Sequence, residues 1–135
     1  MIVLDTNAAL SIIKGTPEGD AFQGLMLENE RILAPELYYA EAGNAIWQYQ
    51  RRGDIALQEA LSWLNRVIQL VDEYVPSSEL LAETLREATH LDHSPYDIFY
   101  LVLARRYGAT LFTLDKKLMR LCEETGVDYV VEVDF

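Results

Sequence analysis

Four carboxylates in this chain stand where a carboxylate is costly. Asp5 follows the apolar run Ile2-Val3-Leu4, and Asp115 comes two residues after the run Thr110-Leu111-Phe112-Thr113. The plain role for either is an N-cap, which aspartate fills well. Asp97 follows Ser94-Pro95-Tyr96, a capping-box-like spacing that also suits the helix dipole. The stretch after it, Ile98 to Ala104, is apolar all round, so this acid opens a buried helix rather than a wet one. Glu41 lies three residues after Tyr38 and four before Ala45, inside an apolar helical stripe, with Asn44 one turn away. An inward carboxylate needs a cation, a donor or a metal, and an arginine from elsewhere in the fold is its plainest partner.

The elements that must carry these acids alternate short apolar runs with helical segments. Ile2 to Leu4 reads as a strand that stops at Asp5-Thr6-Asn7, followed by a helix over Ala8 to Lys14 that Gly15 and Pro17 end. A second helix is expected over Gly19 to Asn29, a strand over Arg31 to Ala34, and a helix over Glu36 to Arg52 closed by Gly53. Asp54 is expected to cap a helix running to about Val67, with a strand over Val71 to Val75 after it. Ser77 opens a helix to about His90, Ser94-Pro95 opens the next to Tyr107-Gly108, and Asp115 to Thr125 forms the last helix. Strands are expected at Thr110 to Thr113 and Tyr129 to Val133. Such alternation implies an α/β fold, a mainly parallel sheet of four to five strands with helices on both faces, in three layers. No linker or repeat divides residues 1–135, which reads as one domain.

In an open parallel sheet, the carboxyl ends of the strands and the helix N-termini that follow share one edge, where ligands bind. Asp5 and Asp115 fall on that edge, and Asp97 and Glu41 can reach it. Crowded carboxylates raise one another's pKa unless a divalent cation offsets the charge. Oxygen-only ligands with retained waters suit Mg²⁺ or Mn²⁺. Such a site activates water for in-line displacement at phosphorus, which points to a hydrolase of phosphate esters.

The ordered set Ile2-Val3-Leu4-Asp5-Thr6-Asn7, Pro35-Glu36-Leu37-Tyr38-Tyr39-Ala40-Glu41-Ala42-Gly43-Asn44, Ser94-Pro95-Tyr96-Asp97 and Leu111-Phe112-Thr113-Leu114-Asp115 resembles the PIN-domain family. It looks most like the VapC toxins of toxin–antitoxin pairs, and the likeness spans the whole chain. Arg51-Arg52-Gly53 and Ala104-Arg105-Arg106-Tyr107-Gly108-Ala109 fit the same pattern; Asn7, where many relatives carry serine or alanine, is a mild departure. The resemblance implies a Mg²⁺-dependent endoribonuclease with Asp5, Glu41, Asp97 and Asp115 as its acidic quartet, Mn²⁺ being able to substitute. Asp5 and Asp97 would be the direct ligands, with Glu41 and Asp115 acting through water or on a second ion. Thr6, Asn7, Asn44 and Thr113 would orient carboxylates or the attacking water. It also implies a homodimer and a basic antitoxin whose tail lies across the acidic site.

The chain carries 22 acidic and 11 basic residues, net −11, which excludes grip on nucleic acid by bulk positive charge. Local cations remain: Lys116 and Lys117, directly after Asp115, could meet a backbone phosphate, although each also reads as a solvated helix-end charge. One cysteine, no basic leader and no apolar run of membrane length imply a cytoplasmic protein. His90 and His93 have no further histidine or cysteine nearby to complete a zinc site. Cys122 reads as a small buried hydrophobe; Trp47, Trp63 and the tyrosines of the Glu41 helix read as core or dimer contact. A competing reading is a catalytically idle PIN-like module that works through protein or nucleic-acid contacts. A haloacid-dehalogenase-type phosphatase would need a second aspartate where Asn7 stands, and a phospho-receiver an acidic pair at the first strand.

Overall fold

A computed structural model describes residues 1–131. Four short strands, β1 (Ile2–Leu4), β2 (Ile32–Pro35), β3 (Glu73–Val75) and β4 (Thr110–Phe112), form one parallel sheet in the order β3-β2-β1-β4. Seven helices connect them: α1 (Thr6–Lys14), α2 (Pro17–Leu25), α3 (Leu37–Arg51), α4 (Leu57–Gln69), α5 (Ser77–Leu91), α6 (Pro95–Tyr107) and α7 (Lys116–Thr125). Strand side chains alternate between faces, so neighbouring strand residues enter different cores. Ile2, Leu4, Ala34 and Phe112 pack with α1 to α4, whereas Val3, Leu33 and Leu111 pack with α5, α6 and α7. The result is the expected three-layer α/β architecture. Right-handed crossovers explain it: the chain moves one way across the sheet through α1 to α4, then returns from β3 to β4 through α5 and α6 on the other face. The reversal leaves a switch point between β1 and β4, the place where such sheets bind ligands.

Several boundaries differ from the sequence expectations. Pro17 does not merely end α1; it opens α2, with Thr16 as N-cap accepting from the Gly19 amide at 3.0 Å. That helix stops at Leu25, and Leu27 to Glu30 turns back toward β2. Asp54 is not an N-cap. Gly53 turns the chain at φ 80° and the Asp54 amide donates to the Tyr49 carbonyl, so α4 starts only after the extended Ala56. Ser94 precedes α6 without a side-chain capping bond. Of the final strand expected over Tyr129 to Val133, a single parallel bridge from Tyr129 to Leu111 is present, and positions 132–133 lie outside the described residues. Trp47, expected in the core or at a dimer contact, is half exposed and so not in the core, with the Arg51 guanidinium over its ring. Arg105 and Arg106, in the last turn of α6, pair with Glu83 of α5, and Arg105 also meets Glu87. Gly19 matters for the layer above the sheet, because a Cβ there would fall 2.0 Å from the Ser11 carbonyl oxygen. Among the described residues no helix is long and apolar enough to cross a membrane.

Candidate active site

Asp5 is built by the junction of β1 with α1. Its amide donates to the Phe112 carbonyl of β4 at 2.9 Å, while its side chain caps α1 by accepting from the Thr6 amide at 2.7 Å. The other carboxylate oxygen accepts from Thr113 Oγ1 at 2.7 Å and from Asn7 Nδ2 at 3.2 Å. Asn7 reaches across the switch point, its Oδ1 accepting from the Leu114 amide at 2.9 Å. Thr113 in turn accepts from the Asp115 amide, and Asp115 caps α7 by accepting from the Lys117 and Leu118 amides. Both capping roles therefore exist, and both leave the acids on one edge of the sheet.

Among the described residues Glu41 pairs with no arginine. Its Oε1 accepts a 2.6 Å hydrogen bond from Tyr100 of α6, whose hydroxyl also lies 3.2 Å from Thr6 Oγ1. Tyr100 went unassigned in the sequence; the available signal was a buried hydroxyl three residues after Asp97, which must find a partner. Asp97 lies 3.7 Å from His93 Nε2, and the histidine's Nδ1 is 3.1 Å from the Ser94 carbonyl. Asp5, Glu41, Asp97 and Asp115, with Thr6, Asn7 and Asn44, line a single cavity of about 340 Å³. Lys117 is near enough to Asp97 to favour its charged form, whereas Lys116 lines a different hollow beside Arg120 and Tyr129.

The electrostatics record this convergence. Burial pushes the Asp5 carboxyl from 3.8 up to about 7; hydrogen bonds from Thr113 and Thr6 oppose the rise, and the charges of Glu41 and Asp97 add to it. Burial also raises Glu41, against the Tyr100 hydrogen bond and with help from Asp97. Asp97 is raised by burial and by Asp115, and lowered by His93 and Lys117. In its donor types the cluster fits a hard divalent cation, being all oxygen and self-repelling. As they stand, no three acidic, histidine or cysteine side chains among the described residues are grouped to hold an ion. An ion there would keep water among its ligands, as Mg²⁺ ordinarily does.

The PIN domain pattern matches residues 2–124, nearly the whole length. The chain belongs to the PIN domain family. This PIN domain is 26% identical over 121 residues to Ribonuclease VapC3 of Pyrobaculum aerophilum, covering 87% of this chain and 91% of that protein. Its fold is shared with a crystal structure from Pyrobaculum aerophilum at 24% identity and TM-score 0.69, covering 88% of this chain and 82% of the other. It is also shared with VapBC-1 from nontypeable Haemophilus influenzae at 20% identity and TM-score 0.68, covering 96% and 97%. Cys122 is fully buried, and burial pushes its thiol up to about 12, so it packs as a hydrophobe.

Proposed function

We propose that this PIN domain is a VapC-like, divalent-metal-dependent endoribonuclease that hydrolyses RNA phosphodiesters at Asp5, Glu41, Asp97 and Asp115. One observation carries the reading: four carboxylates from four separate segments line one cavity at the switch point of the sheet, linked by mutual repulsion. Asp5 and Asp97 would hold Mg²⁺, or Mn²⁺ in its place, with Glu41 and Asp115 acting through water or on a second ion. When bound, that ion supplies a water of lowered pKa and charge stabilisation for displacement at phosphorus. Thr6, Thr113 and Asn7 hold the Asp5 carboxylate in one orientation, and Tyr100 does the same for Glu41. Asn44 stands at the cavity wall, where its amide suits a water or a phosphate oxygen. Of the lysines after Asp115, Lys117, near enough to Asp97 to favour its charged form, would meet a phosphate at the rim, and Lys116 would act from outside it. Similarity to Ribonuclease VapC3 supports the ribonuclease part of this reading. On the resemblance to VapC toxins the chain would be a cytoplasmic toxin, homodimeric and silenced by a basic antitoxin tail across the acidic cavity.

The test is cleavage of a pool of structured RNAs with Mg²⁺, with Mn²⁺ and with EDTA, beside Asp97→Asn. Cleavage that needs metal and is lost in the variant is expected; cleavage that survives the substitution would place the chemistry elsewhere. A second reading, the idle binding module, draws on the loose grouping of the carboxylates. Isothermal titration with Mg²⁺ separates the two, because absence of metal uptake by the folded chain favours the idle module.

A further inference from the structure

Beside the carboxylate cavity lies a second hollow of about 560 Å³, and the two share Asn7, Leu10, Asn44 and Ala45 as walls. Its far end is basic and aromatic. Lys14 closes α1, Tyr49 sits near the end of α3, and Arg52 caps that helix. The Lys14 ammonium donates to the Tyr49 hydroxyl at 2.6 Å and stands 4.6 Å from the ring centroid, while the Arg52 guanidinium stands 5.1 Å from the same ring. The edge-on packing of Trp63, 5.6 Å away at 73°, holds that ring in place. Tyr49 is thus neither core nor a free surface side chain; it is a half-buried plate carrying two cations.

Those cations are available to a ligand. Lys14 makes no ion pair with a carboxylate among the described residues. Arg52 has a loose pair with Asp54 at 3.7 Å, with both side chains more than half exposed, and such pairs contribute about 0–1 kcal/mol. The lining includes a single carboxylate, Glu18. In a chain of net −11, two cations on one ring next to a cluster of acids is a local reversal of charge. The spacing also suits a chain-like ligand. From Asp5 to Lys14 along α1, and from Glu41 to Tyr49 along α3, the rise is roughly 12–14 Å at about 1.5 Å per residue. Each helix therefore has a carboxylate toward one end of the joined hollow; toward the other end α1 brings Lys14, and α3 brings the Tyr49 ring and Arg52.

We propose that this groove seats the single-stranded RNA flanking the cleaved phosphate, with Lys14 and Arg52 on backbone phosphates and the Tyr49 ring against a base. A basic track with an aromatic platform is the arrangement by which single strands are held without regard to sequence. The proposal rests on the ribonuclease reading and adds to it the strand's path and the residues that grip it.

The test measures binding of a fluorescein-labelled single-stranded RNA of about ten uridines, within the usual site size of such grooves. Fluorescence anisotropy is followed against salt in Mg²⁺, in the full chain carrying Asp97→Asn so that the RNA stays intact. Adding Lys14→Gln with Arg52→Gln should weaken binding roughly tenfold and flatten the log–log salt slope by about 1.4, two phosphate contacts at ~0.7 each. Lys14→Arg with Arg52→Lys should keep both, which separates lost charge from misfolding. Arg66→Gln with Arg86→Gln, on α4 and α5, removes the same charge away from the groove and should leave both nearly unchanged. An equal fall in the groove and control pairs, or none in either, overturns the groove. Cleavage by the chain with Asp97 intact is read in parallel. A chain that cleaves while its binding ignores Lys14 and Arg52 loses only this inference; one that neither binds nor cleaves loses the ribonuclease reading as well.

Discussion

With metal removed by EDTA, Asp5→Asn should gain stability relative to the native chain as pH rises from about 5 to about 8. The folded Asp5 carboxyl titrates at about 7 against an ordinary value of 3.8, because it is buried beside Glu41 and Asp97. Between those values the folded chain holds a proton that the unfolded chain has released. Stability is therefore fully present below the lower value, falls as pH rises, and levels off once the folded group has ionised. The slope is about 1.4 kcal/mol per pH unit, so the two units from about 5 to 7 amount to roughly 3 kcal/mol. Asparagine cannot titrate and lacks this loss. It brings a fixed cost, since its amide would face the Thr113 hydroxyl that now donates to Asp5, and a misplaced polar pair costs about 1–3 kcal/mol. That cost is the same at both pH values and cancels in the comparison. Urea unfolding of both proteins at the two pH values reads the effect as a gap that widens by roughly 3 kcal/mol. Parallel pH profiles for the two proteins would refute the burial and repulsion assigned to Asp5. Adding Mg²⁺ at about pH 8 should narrow the gap, because a cation favours the ionised carboxylate.

On the ribonuclease reading, Asp97→Asn should lower metal-dependent RNA cleavage by more than ~100-fold while leaving the far-UV spectrum unchanged, since it would remove a proposed ligand charge at nearly constant volume. Saturating Mg²⁺ should raise the thermal midpoint of the native chain, by the equivalent of about 2.7 kcal/mol at a hundredfold excess over Kd, and should do much less for Asp97→Asn. Tyr100→Phe removes the donor that restrains the Glu41 pKa, so its destabilisation of about 1–3 kcal/mol should be larger at about pH 8 than at about pH 5. A loss independent of pH would show that the tyrosine acts only by packing. Gly19→Ala drives a methyl against the Ser11 backbone and should cost about 1–3 kcal/mol or more in urea; an unchanged midpoint would mean that α1 and α2 separate freely.

What was legible in the sequence was local. Ile2-Val3-Leu4 ending at Asp5 marks a strand end, a cap and a helix start within a few residues, and the structure contains all three. The apolar run Ile98 to Ala104 announces a central helix, and each of those residues is buried. Boundaries failed where a polar side chain had a use elsewhere. Asp54 looks like a cap, but its amide and carboxylate serve the turn around Gly53, toward Tyr49 and Arg52. Trp47 reads as core or dimer contact and is half exposed, because which face of α3 is covered depends on where α4 and the sheet lie.

The order of residue types, by itself, determined the alternation of strands and helices and set four acids at element ends or inside an apolar stripe. Capping, burial periodicity and turn chemistry act over a few residues, so one chain suffices to read them. Only the tertiary structure decided who meets whom. Glu41 is held by Tyr100, 59 positions away, and Asp5 by Thr113, 108 positions away. Lys14 and Arg52 share one ring only because α1 packs beside α3. Burial and Coulomb repulsion depend on distances in space, and only the folded arrangement sets those distances.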